Sequence, residues 1–315
     1  MKNLAQKVLV IVGPTAVGKT DLSIKLAHLF NGEVISGDSM QVYKGLDIGT
    51  AKVTKQEMEG VDHFLLDILQ PYQNFSVADF VNYSQEKIEQ ISVRKHLPLV
   101  VGGTGLYVQA LVDEFSLGST SNFGDKNVRI QLENFAAKNG KKALWHKLDE
   151  IDPTAAKKIP VNNERRVVRA LEVYQQTGHL FSEQDDTASG KLDPLIIGLN
   201  TERKLLYQRI DSRVDQMVDN GLLKEAHALY EAGGVELSAG KGIGYKELFP
   251  YFAGDEKLND CIEAIKKNSR HYAKRQLTWF RNRMNVLWFD LVLHPEQINE
   301  IEQLISKWLN DEKIN

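Results

Sequence analysis

The sequence predicts an α/β fold: a parallel sheet flanked by helices, with a helical insertion and a helical C-terminal region. Three observations lead there. Short apolar runs alternate with amphipathic stretches over the first third of the chain; one of these runs leads directly into a glycine-rich loop and a helix; and strand-like sequence returns after a long charged helical block.

Taken in order, Val8–Val12 is a buried strand, Asp21–Phe30 a helix and Glu33–Ser36 a short second strand. Phe64–Leu69 and Leu97–Val101 are further buried strands. Between them the spacing predicts a helix over Val77–Val93, with Val77, Phe80, Val81, Ser84, Ile88 and Ile91 on one side and Ser76 and Asp79 as its start. Strands separated by helices imply right-handed crossovers, and such sheets bind ligands at the carboxyl ends of their strands. The glycine loop, Asp38 and Gly102–Gly105 each follow a predicted strand and are expected to meet at one edge. The character changes after Glu114. Gly118–Gly124 reads as a loop, Val128–Gly178 as charged helix with a start at Asp152-Pro153, and Thr187–Gly190 as a connector. Leu195–Leu199 returns to the sheet, and from Glu202 onward the pattern is helical, broken at Gly221, Gly233-Gly234 and Gly240–Gly244. The expected organisation is a core of residues 1–115 with 190–315, and a helical insertion of residues 116–189.

The 315 residues are 42% hydrophobic and 26% charged, ordinary for a globular protein of about two domains. A net charge of −3 confines any nucleic-acid site to a local patch. Cys261 is alone, which excludes an internal disulfide and points to a reducing compartment. The first apolar run is short, and no run approaches the length of a membrane span. The expectation is a cytoplasmic protein, monomeric, with no membrane contact.

Residues 13–20 read Gly13-Pro14-Thr15-Ala16-Val17-Gly18-Lys19-Thr20 between a strand and a helix, a complete phosphate-loop signature in its required context. Gly13 and Gly18 let backbone N–H groups converge on phosphate oxygens, Lys19 adds positive charge, and the Thr20 hydroxyl suits Mg²⁺. The core is therefore P-loop NTPase-like, and its ligand is a polyphosphate or a diphosphate. Asp38 follows a strand facing this loop and is either a proton acceptor or metal holder, or a turn aspartate. Gly102–Gly105 suits close approach of a ligand to backbone, or simply turns the chain. Asp67 ends an apolar run as Mg²⁺-binding aspartates do, although a capping role fits better. Arg166 with Arg169, and Arg209 with Arg213, share helix faces and suit phosphates or solvent. Lys266–Arg283 holds seven basic residues and no acid, five of them within roughly 100° of a helical wheel, as a nucleic-acid backbone contact would; Tyr272, Trp279 and Phe280 face elsewhere and pack on the body.

Several segments together resemble the tRNA dimethylallyltransferase family. These are the phosphate loop, Asp38–Tyr43, Gly49–Lys52, Phe75–Phe80, Gly102–Tyr107, Arg169–Val173, Gly242–Glu247 and Tyr272–Arg281, in order along most of the chain. The resemblance implies transfer of a dimethylallyl group from its diphosphate to the exocyclic amine of the adenosine 3′-adjacent to the anticodon. It makes Asp38 the general base, places Thr104 on the base and Lys19 with the diphosphate, which is held by Gly13–Thr20 with Arg213, and it implies Mg²⁺ at Thr20. It assigns tRNA contact to Asp38, Ser39, Met40, Gln41, Thr104, Arg129, Asn162, Asn163, Glu164, Arg165, Arg166, Lys241, Gly242, Ile243, Gly244, Tyr245 and Lys246, and the basic helix adds Lys274 and Arg281. Met40, Val53, Asp62-His63 and Gly242 depart from the family's commoner Arg, Pro, His-His and Ala. The competing expectations are an ATP-dependent small-molecule kinase, prenyl transfer to a free adenine nucleotide, and a non-enzymatic RNA-binding protein.

Overall fold

A computed structural model describes residues 5–114, 126–183 and 190–312. The predicted loop at Gly118–Gly124 and residues 187–189 of the predicted connector lie outside them. The chain divides into two compact units, Met1–Glu114 with Ser189–Asn315, and Phe115–Ala188.

The larger unit carries the sheet. Its elements are β1 (Gln6–Val12), α1 (Lys19–Phe30), β2 (Gly32–Ser36), β3 (His63–Phe64), α2 (Val77–Val93), β4 (Leu97–Gly102) and α3 (Gly105–Val112). The smaller unit holds α4 (Lys126–Asn139), α5 (Lys141–Ile151), α6 (Pro153–Lys158) and α7 (Glu164–Thr177). The larger unit resumes with β5 (Leu192–Leu199), α8 (Arg203–Asp219), α9 (Leu222–Glu231), α10 (Phe249–Ala253), α11 (Leu258–Arg283), β6 (Leu287–Phe289) and α12 (Ile298–Leu309).

All six strands run parallel in the order β3-β2-β4-β1-β5-β6. β1 lies between β4 and β5, and Val8–Val12 are at most 1% exposed. Helices cover both faces of such a sheet, which is why its strands are continuous apolar runs and not alternating ones. Leu9, Ile11, Leu26, Leu99 and Ile197 meet in one core. α2 begins with a reciprocal cap: Ser76 Oγ accepts from the Asp79 N–H, and Asp79 accepts from the Ser76 N–H. Phe80, Ile88 and Ile91 on its inner face are fully buried.

One predicted strand is shorter than expected. Phe64–Leu69 reduces to His63–Phe64, because Leu65 and Asp67 adopt left-handed backbone at φ 62° and 53°. No strand continues through that conformation. The chain instead bends so that Leu69 N–H reaches Val42 O at 2.9 Å.

In the smaller unit, Leu132, Leu144, Leu148, Val167 and Leu171 form a separate core. Asp152 caps α6 by accepting from the Ala155 N–H at 2.9 Å. Glu172 is buried and holds Arg129 in a two-pronged pair at 2.9 and 3.1 Å, with Arg169 as a third donor group at 3.1 Å.

Candidate active site

The phosphate loop leaves β1 at Gly13, where φ is +145° and a Cβ would lie 2.4 Å from Leu199 O of the adjacent strand. Only glycine fits there. Left-handed backbone at Ala16 and Gly18 completes the turn into α1, whose first residues are Lys19 and Thr20. Val17 anchors the loop in the core at 2% exposure. The Lys19 ammonium donates to Pro14 O at 2.6 Å and so lies along its own loop. Two arginines of α8 reach the same loop: Arg209 Nε donates to Ala16 O at 2.7 Å, and Arg213 to Thr15 Oγ1 at 3.3 Å. Of the two arginine pairs weighed from sequence, this one is gathered at the loop; Arg169 is engaged by Glu172 instead.

Asp38 lies at the carboxyl end of β2, as the parallel sheet requires. Its Oδ1 accepts the N–H groups of Met40 at 2.8 Å and Gln41 at 3.4 Å, which fixes a tight turn. That turn is also tied to β4 and the loop after it: Gly37 donates to Val101 O at 2.8 Å, and Thr104 Oγ1 accepts from the Ser39 N–H at 3.1 Å. Asp38 therefore serves as a turn aspartate and as a cavity wall together. A cavity of about 1120 Å³ runs between the phosphate loop, Asp38, the 47–54 segment, α8, the 241–245 segment and Tyr272.

Charge in this cavity is coupled. Burial, and after it the Arg213 guanidinium, pulls the Lys19 ammonium from 10.5 down to about 8, with Asp38 opposing. Burial also lowers the Arg213 pKa, again against Asp38. Burial and then the Asp38 carboxylate push the Tyr272 phenol up to about 12. One carboxylate thus influences a lysine, an arginine and a tyrosine, as a shared site demands.

Within Gly102–Gly105, Gly103 and Gly105 pack closely against α11, and Gly102 and Gly103 also line the cavity. A Cβ on Gly103 would lie 2.1 Å from Gln276 Nε2, and one on Gly105 would lie 2.5 Å from the Trp279 ring. Gln276 Nε2 donates to Gly103 O at 2.9 Å. The small residues admit α11, which in turn delivers Tyr272 to the cavity. Tyr272, expected to face away from the basic side of the helix and pack on the body, does so and lines this cavity. Its position one helical turn before Gln276 was the available signal.

Other cavity residues brace one another. Ser36 Oγ donates to Gln41 Oε1 at 2.9 Å, and Gln41 Nε2 donates to Thr50 O at 3.2 Å. Glu225 of α9 was not singled out in the sequence. Its carboxylate accepts the N–H groups of Asp47, Ile48 and Gly49 at 2.8–2.9 Å and the Tyr245 hydroxyl at 2.7 Å. Tyr245 is fully buried, and Gly244 N–H is held by Glu247 at 2.9 Å. Gln41 and Tyr245 therefore spend their polar atoms inside the protein, while Lys241 and Lys246 are exposed. Met40 approaches the backbone of Gly242, where a Cβ would lie 2.6 Å from its Cε, so two of the departures from the commoner sequence fit each other. Asp67 pairs with buried Lys52 at 2.6 Å and does not end a strand, since β3 stops at Phe64.

The basic stretch of α11 is divided. Lys266 pairs with Asp215 and Glu263 at 2.8 and 3.1 Å, and Arg270 pairs with Asp211. These acids come from α8 and from α11 itself, so Lys266 and Arg270 are neutralised internally, while Lys267 is exposed. Lys274 and Arg281 are exposed and form no ion pair among the described residues. In the smaller unit Arg165 and Arg166 are exposed, and Asn163 caps α7 by accepting from the Arg166 N–H. Asn162 is exposed and Glu164 pairs with Lys141 at 3.2 Å.

A parallel sheet with this strand order, with the glycine loop after β1 and Asp38 lining one cavity, defines a P-loop-like α/β protein. The family model described as IPP transferase matches residues 41–283. The tRNA dimethylallyltransferase of Ligilactobacillus salivarius is 55% identical, over 97% of this chain and all of that one. The crystal structure of a full-length tRNA isopentenylpyrophosphate transferase from Bacillus halodurans is 49% identical, covers 97% of both chains and superposes with a TM-score of 0.73. A eukaryotic dimethylallyltransferase captured acting on tRNA is 34% identical, covers 99% of this chain and 81% of that one, with a TM-score of 0.84. The chain belongs to the IPP transferase family.

Proposed function

We propose that this chain transfers the dimethylallyl group of dimethylallyl diphosphate to the exocyclic amine of the adenosine 3′-adjacent to the anticodon in tRNA, releasing diphosphate. The observation that carries the reading is one cavity holding the phosphate cradle and Asp38, with Lys19, Arg213 and Tyr272 all under the influence of that carboxylate.

The allylic C–O bond breaks, and its electrons leave with the diphosphate. The loop N–H groups of 13–20, Lys19, Arg213 and Arg209 receive that charge, where it matters most to the barrier. The amine nitrogen bonds to the allylic carbon, and its proton passes to the Asp38 carboxylate. Thr104 and the neutral Tyr272 phenol border the base. The adenine leaves its stack to reach a cavity of this depth, as bases do in other base-modifying enzymes. Ser39, Met40, Lys241 and Ile243 line the approach, and Lys274 and Arg281 offer charge to the RNA backbone. Thr20, Asp21 and Asp38 all line the cavity, hard oxygen donors that would hold Mg²⁺. Bound there, Mg²⁺ would offset diphosphate charge. The described helices include none long and apolar enough to cross a membrane, and a cytoplasmic monomer completes the reading.

The test is incubation of purified protein with labelled dimethylallyl diphosphate and an anticodon stem-loop RNA, followed by nucleoside mass spectrometry, with γ-labelled ATP in parallel. A dimethylallyl adenosine confined to the 3′ side of the anticodon supports the proposal. Phosphoryl transfer from ATP with no alkylated adenosine overturns it.

A further inference from the structure

Two helices of the smaller unit carry arginines that converge on one buried acid. Arg129 stands on α4, and Arg165, Arg166 and Arg169 stand on α7. Arg165 and Arg166 precede Arg169 by one helical turn, so the three share a face of α7. Glu172 is 1% exposed, while the Arg129 and Arg169 side chains above it are 49% and 39% exposed. Glu172 Oε1 and Oε2 accept from Arg129 Nε and Nη2 at 3.1 and 2.9 Å, and Oε2 also accepts from Arg169 Nη1 at 3.1 Å.

This arrangement leaves charge and donors over. Two guanidiniums share one carboxylate, so the cluster keeps an excess positive charge. A guanidinium has more N–H donors than either arginine spends on Glu172, and both side chains remain half open to an acceptor outside. Arg165 and Arg166 are exposed and form no ion pair among the described residues. The other acids of these helices do not offset them: Glu164 pairs with Lys141, and exposed Glu133 makes no ion pair with any of the four.

A buried carboxylate is a poor way to gain stability, because an apolar side chain of similar size often does as well. What a carboxylate supplies and an apolar residue does not is direction. A two-pronged bond fixes the plane of the Arg129 guanidinium, and the shared oxygen sets Arg169 beside it. Planar forks held side by side match phosphate oxygens better than freely rotating charges do.

We propose that Glu172 is a positioning residue for RNA binding: it holds Arg129 and Arg169 as one rigid pair, which together with Arg165 and Arg166 grips the phosphate backbone of the anticodon stem-loop. Glu172 itself touches no RNA. The inference rests on the reading that tRNA is the substrate, and not on the chemistry at Asp38.

The sign of one substitution tests it. Glu172→Gln removes a negative charge from a basic patch, so charge alone would tighten RNA binding. Loss of the forks weakens it instead. A labelled anticodon stem-loop is titrated by anisotropy with the full chain, from about 50 to 200 mM salt, and Tm is recorded for each variant. We expect Glu172→Gln to bind about tenfold more weakly, as loss of a charge-assisted hydrogen bond implies, with kcat at saturating RNA and KM for the prenyl diphosphate within a few-fold of wild type. Arg129→Lys keeps the charge without the fork and should lose a similar factor, while Arg129→Gln should also lower the salt slope by about one. With Arg129 and Arg169 both changed to Gln, Glu172→Gln should have no further effect on affinity. Glu172→Gln that binds as tightly as wild type or more tightly overturns the proposal, as does Arg129→Lys at wild-type affinity; if Glu172→Gln fails to fold, Arg129→Lys decides. Wild type that binds the stem-loop but transfers no prenyl group refutes the reaction and leaves this inference to the binding data. Wild type that binds no stem-loop overturns both.

Discussion

Asp38→Asn separates the two jobs of one carboxylate. Asp38 Oδ1 holds the turn through the Met40 and Gln41 N–H groups, and an asparagine keeps that acceptor. What it cannot do is take a proton from an amine. General-base catalysis contributes about 10²–10⁴ in rate, which is about 3–5 kcal/mol of barrier. We therefore expect kcat to fall by about that factor, with Tm within about 1 °C of wild type and KM for the diphosphate within a few-fold. Asp38→Ala should lose the same rate and also the turn, at a further cost of about 1 kcal/mol in stability. The electrostatics give an independent signature. The Asp38 charge raises the Lys19 pKa against burial and Arg213, so neutralising Asp38 lets it drop below about 8. Diphosphate affinity should then weaken at a lower pH in Asp38→Asn than in wild type. The assay is prenyl transfer to stem-loop RNA by nucleoside mass spectrometry, with diphosphate binding measured from pH 6 to pH 10, a range chosen about the Lys19 pKa of about 8. An Asp38→Asn protein with wild-type kcat refutes the base assignment, and an unmoved alkaline limb refutes the coupling.

For wild type, Lys19 is charged below its pKa of about 8 and neutral above it, so kcat/KM for the prenyl diphosphate should decline as pH rises through that value; Lys19→Met should abolish the decline along with most of the activity. Glu225→Ala strips the acceptor from three backbone N–H groups and the Tyr245 hydroxyl, and should cost about 2–4 kcal/mol by urea denaturation, while Lys224→Ala on the exposed side of α9 should cost almost nothing. Gly105→Ala drives a Cβ to 2.5 Å from the Trp279 ring and should lose about 1–3 kcal/mol, with Tyr272 displaced and activity reduced; unchanged stability would mean that α11 is not seated on this loop. Thr20→Val should raise the Mg²⁺ concentration needed for half-maximal activity without changing the stem-loop KM; an unaltered Mg²⁺ requirement would remove Thr20 from the metal site.

What the chain wrote locally was legible without a structure. The phosphate loop declares itself because its backbone angles demand glycine at 13 and 18 and its strand and helix are contiguous with it. The α2 capping box needs only Ser76 and Asp79, three residues apart. Asp38 and Thr104 follow from the rule that parallel strands deliver their carboxyl ends to one edge. Tertiary structure decided everything that depends on a partner far along the chain. Glu225 meets the N–H groups of 47–49 across more than 170 residues, and no periodicity encodes that. Lys266 and Arg270 are paired with Asp215 and Asp211 of α8, which the sequence did not show, because an ion pair depends on distance in space and not on spacing in sequence. The glycines at 103 and 105 admit α11, a role their sequence did not reveal, since a missing side chain records only that something comes close. Local geometry is carried by each residue's own backbone, whereas contact is a property of two, and only the fold says which two.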